Sequence, residues 1–239
     1  GKGADALFGG AGDDHLESGG GAEVYFGRDR ADDLLDGGAG KDYFDAHDVD
    51  KRGRATVQMV SLTRGIAVGE GRDQMRRVEN VEVSGNGSVI RGDKRANLLQ
   101  GWGKISGGPG ADALSHAKEV WGGRGKDLVF DVPIAHLGPG PDEFVGDLGG
   151  GNHEVYGGPG DDDIRGGTGG EGADPSGAEA DRFFGGPGDD ELRGFVGADR
   201  LFGRGGDDFL NGGKGRDRAK GGGGRDTCKA EDQRGCERD

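Results

Sequence analysis

The sequence is poor in the residues that build an ordinary hydrophobic core. Hydrophobic residues make up 31% of its 239 positions and aromatic residues only 6%. No stretch approaches the roughly 18 consecutive apolar residues of a membrane-spanning helix. The chain also begins without a recognisable signal peptide, so we expect a mature product or an excised segment. These shortages argue against a conventional globular core and against membrane insertion.

Motifs for the common hydrolases are also missing. The sequence contains neither His-Glu-x-x-His nor Gly-x-Ser-x-Gly, which excludes those zinc proteases and serine hydrolases. Its five histidines have no metal-ligand spacing. We therefore expect no enzymatic activity.

Positive charge is in short supply. Forty-five acidic and 31 basic residues give a formal net charge of −14. Such a chain repels nucleic acids and anionic membrane surfaces and attracts cations. The charge predicts cations as partners, and neither nucleic acid nor membrane.

Cysteine is limited to Cys228 and Cys236. A disulfide between them would close a small loop and contribute about 2–3 kcal/mol of stability. The alternative is a pair of free thiols in a reducing cytosol. Because the core is so small, we favour the disulfide and an oxidising compartment.

Glycine, by contrast, is abundant, with 58 residues. Such a composition is also typical of a disordered acidic chain, but here the residues recur with a period of nine. Six units run without a break over 176–229, each with aspartate at its sixth place, and similar units occupy 1–45. Over 92–145 the period is fifteen, because nine-residue units alternate with six-residue segments. Periodicity therefore favours a folded repeat protein over disorder.

The units resemble the hemolysin-type, or RTX, calcium-binding nonapeptide GGxGxDxUx. GGPGDDELR at 185–193 and GGAGKDYFD at 37–45 are examples. The resemblance covers about 1–45 and 92–229. It implies an all-β fold, a parallel β-roll (β-solenoid), with several Ca²⁺ ions held between successive turns, and a secreted, extracellular location. The metal ligands it implies are the sixth-place aspartates: Asp5, Asp14, Asp32, Asp42, Asp112, Asp127, Asp142, Asp162, Asp181, Asp190, Asp199, Asp208, Asp217 and Asp226.

Elementary physics supports the same interpretation. Two units form a coil of eighteen residues, so stacking places Asp190 beside Asp208 and Asp208 beside Asp226. Columns of carboxylates repel one another without a cation, whereas Ca²⁺ takes six to eight oxygen ligands. We expect the Asp208→Ala substitution to weaken calcium-coupled folding more than Asp142→Ala, because Asp208 has aspartates one coil away on both sides.

The repeat pattern divides the chain into segments. We expect N-terminal repeats over 1–45, an irregular β segment or insertion over 46–91, and coils of fifteen-residue period over 92–165. An extruded loop follows over 166–180, with a regular β-roll over 176–229 and a disulfide-bonded cap over 230–239.

Three functions remain open at this point. The leading one is an extracellular, calcium-binding structural module that folds on binding Ca²⁺. The second is an adhesion or carbohydrate-binding module of a larger exoprotein that uses Trp102, Trp121 or the 46–91 segment, with a cell-surface or polysaccharide partner. The third is a fragment of an RTX-bearing polysaccharide-modifying enzyme.

Overall fold

A computed structural model describes residues 6–12, 15–18, 34–46, 57–69, 72–146, 151–167 and 180–236. These residues form short strands and turns without a helix, and successive coils pair in parallel. The predicted all-β solenoid of parallel coils is confirmed. Within the described ranges, no helix is long and apolar enough to cross a membrane. The chain divides into two compact units, 1–118 and 119–239.

The described residues of the first unit form twelve strands in two sheets. One sheet has the order β1-β3-β7-β6-β5-β9-β11 and the other β2-β4-β8-β10-β12. The strands are β1 (Ala6–Ala11), β2 (His15–Ser18), β3 (Leu34–Ala39), β4 (Tyr43–Ala46), β5 (Met59–Ser61), β6 (Ile66–Val68), β7 (Arg72–Arg76), β8 (Asn80–Val83), β9 (Val89–Arg91), β10 (Leu98–Gly101), β11 (Lys104–Pro109) and β12 (Ala113–Ser115).

The predicted irregular region of this unit contains an antiparallel meander. Strand β6 pairs antiparallel with both β5 and β7. The outer strands of the meander return to the parallel pattern, because β7 pairs parallel with β3 and β5 pairs parallel with β9. The meander thus widens one sheet without ending the stack of coils.

The second unit, as far as the structure describes it, contains thirteen strands, also in two sheets. The first, which we call sheet A, has the order β13-β15-β17-β19-β21-β23-β25, and the second, sheet B, has the order β14-β16-β18-β20-β22-β24. The strands are β13 (Glu119–Arg124), β14 (Leu128–Phe130), β15 (Ile134–His136), β16 (Glu143–Val145), β17 (Glu154–Tyr156), β18 (Asp163–Arg165), β19 (Arg182–Pro187), β20 (Glu191–Gly197), β21 (Arg200–Gly205), β22 (Phe209–Gly215), β23 (Arg218–Gly223), β24 (Thr227–Lys229) and β25 (Asp232–Arg234).

Each coil contributes one inward apolar side chain per strand, because side chains alternate between the two faces. In sheet B these residues are Phe144, Ile164, Leu192 and Leu210, which pair in register and are fully buried. The resulting core is only one side chain wide on each sheet. Apolar burial is therefore small for the number of residues that must be ordered.

Glycine permits the close approach of successive turns. Gly188 has a φ of 137°, a region that side chains with a Cβ rarely adopt. A Cβ at this position would also collide with the carbonyl oxygen of Gly160 in the neighbouring coil. Because backbone from two coils meets here, the fourth place of this repeat requires glycine.

A disulfide closes the C-terminal end of the second unit. Cys228 in β24 is bonded to Cys236, with a Cα–Cα distance of 5.8 Å. The predicted pairing is confirmed. The bridge encloses β25, the last strand of sheet A.

Candidate metal centre

In the second unit, six aspartates at the sixth place of their repeats form a continuous column, which we call the long column. Each lies immediately before a strand of sheet B and is at most 2% exposed. In each pair of neighbours, the backbone N–H of the earlier residue donates to Oδ1 of the later one, at 2.8–3.0 Å. The members are Asp127, Asp142, Asp162, Asp190, Asp208 and Asp226. The structure thus confirms the predicted register of Asp190, Asp208 and Asp226.

A short column lies at the turns that enter sheet A. It contains Asp181, Asp199 and Asp217, whose contacts repeat the same pattern at 2.9–3.0 Å. His153 occupies the place before Asp181 and donates its backbone N–H to Asp181 Oδ1 at 2.8 Å. Glu231 occupies the place after Asp217 and accepts its backbone N–H at 2.7 Å. Sequence periodicity missed both terminal residues, because neither lies in a nonapeptide.

The first unit has a column in which aspartate, glutamate and asparagine all occur. Each member lies immediately before a strand of the β2-β4-β8-β10-β12 sheet. Asp42 donates its backbone N–H to Glu79 at 2.9 Å, and Asn97 donates its own to Asp112 Oδ1 at 2.9 Å. The Asn97 amide donates to the backbone carbonyl of Glu79. The Arg95 guanidinium contacts the Glu79 carboxylate. A cation of the chain itself therefore pairs with Glu79, one of the two residues that replace aspartate in this column.

The second carboxylate oxygen is what distinguishes the aspartate columns. Within the described part of the chain, Oδ2 is buried and has no hydrogen-bond partner in Asp142, Asp162, Asp190, Asp208, Asp217 and Asp226. The oxygen lies against the first glycine of its own repeat, so a Cβ at Gly185 would collide with Asp190 Oδ2. An unpaired buried carboxylate oxygen is costly unless a cation compensates it.

Burial shifts the acidity of these groups. It raises the pKa of Asp142 and Asp190 to about 7 and that of Asp162 to about 8, against a lowering by the backbone hydrogen bonds. The pKa of Asp208 rises to about 6 for the same reason, and the Asp226 carboxylate adds to the rise. Desolvation penalises the charged form of each carboxyl group. The columns therefore favour either a proton or a metal cation.

The donor set suits a hard cation. Among the described residues, no group of three or more acidic, histidine or cysteine side chains is placed so that it could hold a metal ion by itself, so a metal here needs backbone oxygens too. Such oxygens are available, because the carbonyls of Gly160 and Gly188 face the turn of the next coil. Carboxylate and carbonyl oxygens are the ligands that calcium prefers. The chain thus fits calcium at these turns.

The structure also corrects one expectation. Asp142 has Asp127 and Asp162 one coil away on either side, so the predicted difference between the Asp142 and Asp208 substitutions rests on a wrong premise. Coils of unequal length still place their aspartates in one column. Three predicted ligands, Asp5, Asp14 and Asp32, and most of the 166–180 loop lie outside the described residues.

A second, exposed row of aspartates accompanies the long column. At the fifth place of the repeat, Asp189 donates its backbone N–H to Asp161 Oδ1 at 2.9 Å, and Asp207 donates to Asp189 Oδ1 at 2.7 Å. These hydrogen bonds run in the opposite direction along the stack. The repeated Asp-Asp pairs of the sequence were the available signal for this row.

Comparison with known proteins identifies the repeat. The family model described as RTX calcium-binding nonapeptide repeat matches the chain in four copies, at residues 1–29, 29–48, 176–210 and 202–233. No curated protein matches the chain. The last two matched segments contain all three aspartates of the short column.

Proposed function

Since this chain contains RTX calcium-binding nonapeptide repeats, we propose that it is an extracellular structural module that folds when Ca²⁺ binds between its stacked turns. The observation that supports this function is the row of buried Oδ2 atoms that make no hydrogen bond within the described residues. Folding desolvates these carboxylates, and the thin core offers little to offset the cost. A bound cation supplies the missing free energy.

The proposed ligands are the sixth-place aspartates of the columns, together with carbonyl oxygens of the glycine turns. They comprise Asp42, Asp112, Asp127, Asp142, Asp162, Asp181, Asp190, Asp199, Asp208, Asp217 and Asp226 in the described residues, and Asp5, Asp14 and Asp32 outside them. Calcium would contribute two positive charges and would accept six to eight oxygens. The chain's own part is to hold Oδ1 on a backbone N–H and to direct Oδ2 toward the turn.

Weak sites are sufficient for this function. Each ion that binds only the folded state stabilises it by RT ln(1 + [L]/Kd), and several sites add their contributions. With Kd values on the order of 10⁻⁴ to 10⁻³ M, as in extracellular calcium modules, the chain would fold outside the cell. The function is non-enzymatic, because the buried carboxylates recur at a fixed structural place and serve one repeated task.

Circular dichroism during a calcium titration tests the proposal, with magnesium as the control. We expect a cooperative gain of β-structure in millimolar calcium and little change in magnesium, which gives up its water ligands reluctantly. A chelator should reverse the transition. A spectrum that stays folded in excess chelator at neutral pH would overturn the proposed function.

A further inference from the structure

The outer face of sheet A carries two parallel columns of side chains. The first residues of β19, β21 and β23 are Arg182, Arg200 and Arg218, which pair in register and form what we call the arginine column. The third residues of five strands form the aromatic column: Trp121, His136, Tyr156, Phe184 and Phe202. Both columns face solvent, because the residue between them in each strand points into the core.

The arginine column has little internal charge compensation. Glu154 and Asp232 lie in register at its two ends, but the Glu154 carboxylate accepts the Tyr156 hydroxyl. All three arginines are exposed, and no described carboxylate forms an ion pair with Arg182 or Arg200. Only Arg218 approaches one, at 3.8 Å from Asp232. The guanidinium groups are therefore available to a ligand.

The outer face of sheet B shows the opposite arrangement. There Arg165 contacts Asp163 and Glu143, and Arg193 contacts Glu191 and Asp163. Acidic residues of neighbouring strands thus neutralise the arginines of that face. The uncompensated charge of sheet A is a property of this face and not of the repeat itself.

The aromatic column makes the same face rigid and excludes one mode of sugar binding. Neighbouring rings are stacked with centroids 4.9–5.5 Å apart and planes within 11° of parallel. The inner rings use their faces on one another and present their edges, which carry partial positive charge. The column continues in register into Lys220 and Arg234. The rings therefore place weakly positive edges beside the basic residues and are poor platforms for stacking a sugar ring.

Basic residues also line a groove at the end of this face. Its volume is about 460 Å³, and Arg200, Arg218, Lys220 and Arg234 contribute to its wall, with Asp232 as the one acidic residue of the lining. This concentration of positive charge occurs in a chain whose formal net charge is −14. Charge complementarity therefore requires an anionic ligand that meets this face locally.

We propose that the basic face of sheet A binds an acidic polysaccharide whose carboxylates contact Arg182, Arg200 and Arg218. Guanidinium groups pair with carboxylates in a planar, two-point geometry. Two strand spacings of about 4.8 Å separate Arg182 from Arg218, roughly the length of two sugar rings, after which an extended polysaccharide returns a carboxylate to the same side. An extended peptide returns a side chain to the same face after about 6.6–6.8 Å, so an acidic peptide matches neither one nor two strand spacings.

Calorimetric titration with short galacturonic acid oligomers in millimolar calcium tests this inference. The variant R182Q/R200Q/R218Q should bind about tenfold more weakly or worse, since each exposed ionic contact contributes roughly two- to fivefold. The matched variant R165Q/R193Q on sheet B should retain the affinity of the unchanged protein. Methyl-esterified oligomers, which lack the carboxylate charge, should not bind, and added salt should weaken binding of the free acid.

Three outcomes would overturn the inference: no binding of the oligomers, equal losses in both variants, or tighter binding of poly-glutamate than of the oligomers. The inference assumes the proposed folded state, so circular dichroism accompanies every titration. A variant that folds with calcium but does not bind locates the defect in this face. A protein that does not respond to calcium points to failure of the proposed function instead.

Discussion

The backbone N–H of Asp208 donates a 3.0 Å hydrogen bond to Oδ1 of Asp226, eighteen residues further along the chain. The same Asp208 accepts the backbone N–H of Asp190 on its own Oδ1. In Asp208 and Asp226 one carboxylate oxygen therefore sets the register of the coils, while Oδ2 has no hydrogen bond within the described residues. The charge of such an aspartate should therefore destabilise the folded state without calcium and stabilise it when calcium is bound.

The effect of the Asp208→Asn substitution on stability should change sign when calcium is present. Asparagine can retain the acceptor for Asp190 N–H, but it removes the charge that burial penalises. We expect the variant to retain more β-structure than the unchanged protein in chelator, and to unfold at a lower temperature in millimolar calcium. Circular dichroism measures the residual β-structure in chelator and the melting temperature in calcium.

Asp131→Asn is the matched control for this prediction. Asp131 lies in an exposed turn outside the columns, with a φ of 46° that asparagine tolerates. The charge change is the same, so only small shifts are expected in either buffer. Equal shifts in the two variants would show that net charge, and not the column, governs stability.

The pH dependence of the calcium-free protein follows from the raised pKa values of the long column. Burial raises the pKa of Asp162 to about 8 and those of Asp142 and Asp190 to about 7, from 3.8. The folded state therefore prefers the protonated forms. Their favourable contribution is complete below about pH 4 and is lost as the pH rises toward 8.

The β-structure that remains in chelator should consequently decrease between pH 5 and pH 8. In millimolar calcium the decrease should become smaller or reverse, because protons and calcium compete for the same carboxylates. A scan of the circular dichroism signal against pH in the two buffers provides the measurement. A calcium-free protein that becomes more stable toward pH 8 would contradict the proposed role of the buried carboxylates.

Sequence periodicity predicted the register best where the period was constant. The eighteen-residue interval from Asp190 to Asp208 translates directly into neighbouring coils. The long column as a whole could not be derived in this way, because the steps from Asp142 to Asp162 and from Asp162 to Asp190 span 20 and 28 residues. Those coils contain additional residues, and their number differs from one coil to the next. Only strand pairing shows which aspartates are neighbours.

The residues that replace aspartate were harder still to predict. Glu79 and Glu231 occupy column places but belong to no glycine-rich unit, so no repeat pattern indicates them. Their longer side chains reach the backbone N–H groups of Asp42 and Asp217. The disulfide, by contrast, could be predicted from cysteine count and spacing alone, because no other pairing exists in the sequence.

Arg95 should stabilise the first unit independently of calcium. Its guanidinium contacts the Glu79 carboxylate, lies 2.7 Å from Asp93 and donates to the backbone carbonyl of Val78 at 3.1 Å. Arg95→Gln would leave the Glu79 carboxylate, which is 11% exposed, without its cation. We expect the free energy of unfolding to fall by roughly 1–3 kcal/mol, as measured by urea unfolding at saturating calcium.

Lys94→Gln serves as the matched control, since the neighbouring lysine is exposed and carries the same charge. We expect a change within about 0.5 kcal/mol for this surface substitution. If the two variants unfold at the same urea concentration, the contact between Arg95 and Glu79 does not stabilise the column.

The disulfide should stabilise the last coil and, through it, the end of the short column. Cys228 and Cys236 enclose Glu231, whose carboxylate accepts the backbone N–H of Asp217 at 2.7 Å. The loop-entropy estimate predicts that C228S/C236S lowers the free energy of unfolding by about 2–3 kcal/mol. Because Glu231 then loses its restraint, the variant should also need more calcium to complete folding.

Urea unfolding and calcium titration measure the two effects, and a reducing agent should reproduce them in the unchanged protein but not add to them in the variant. If reduction alters neither quantity, the bridge does not restrain Glu231 against Asp217.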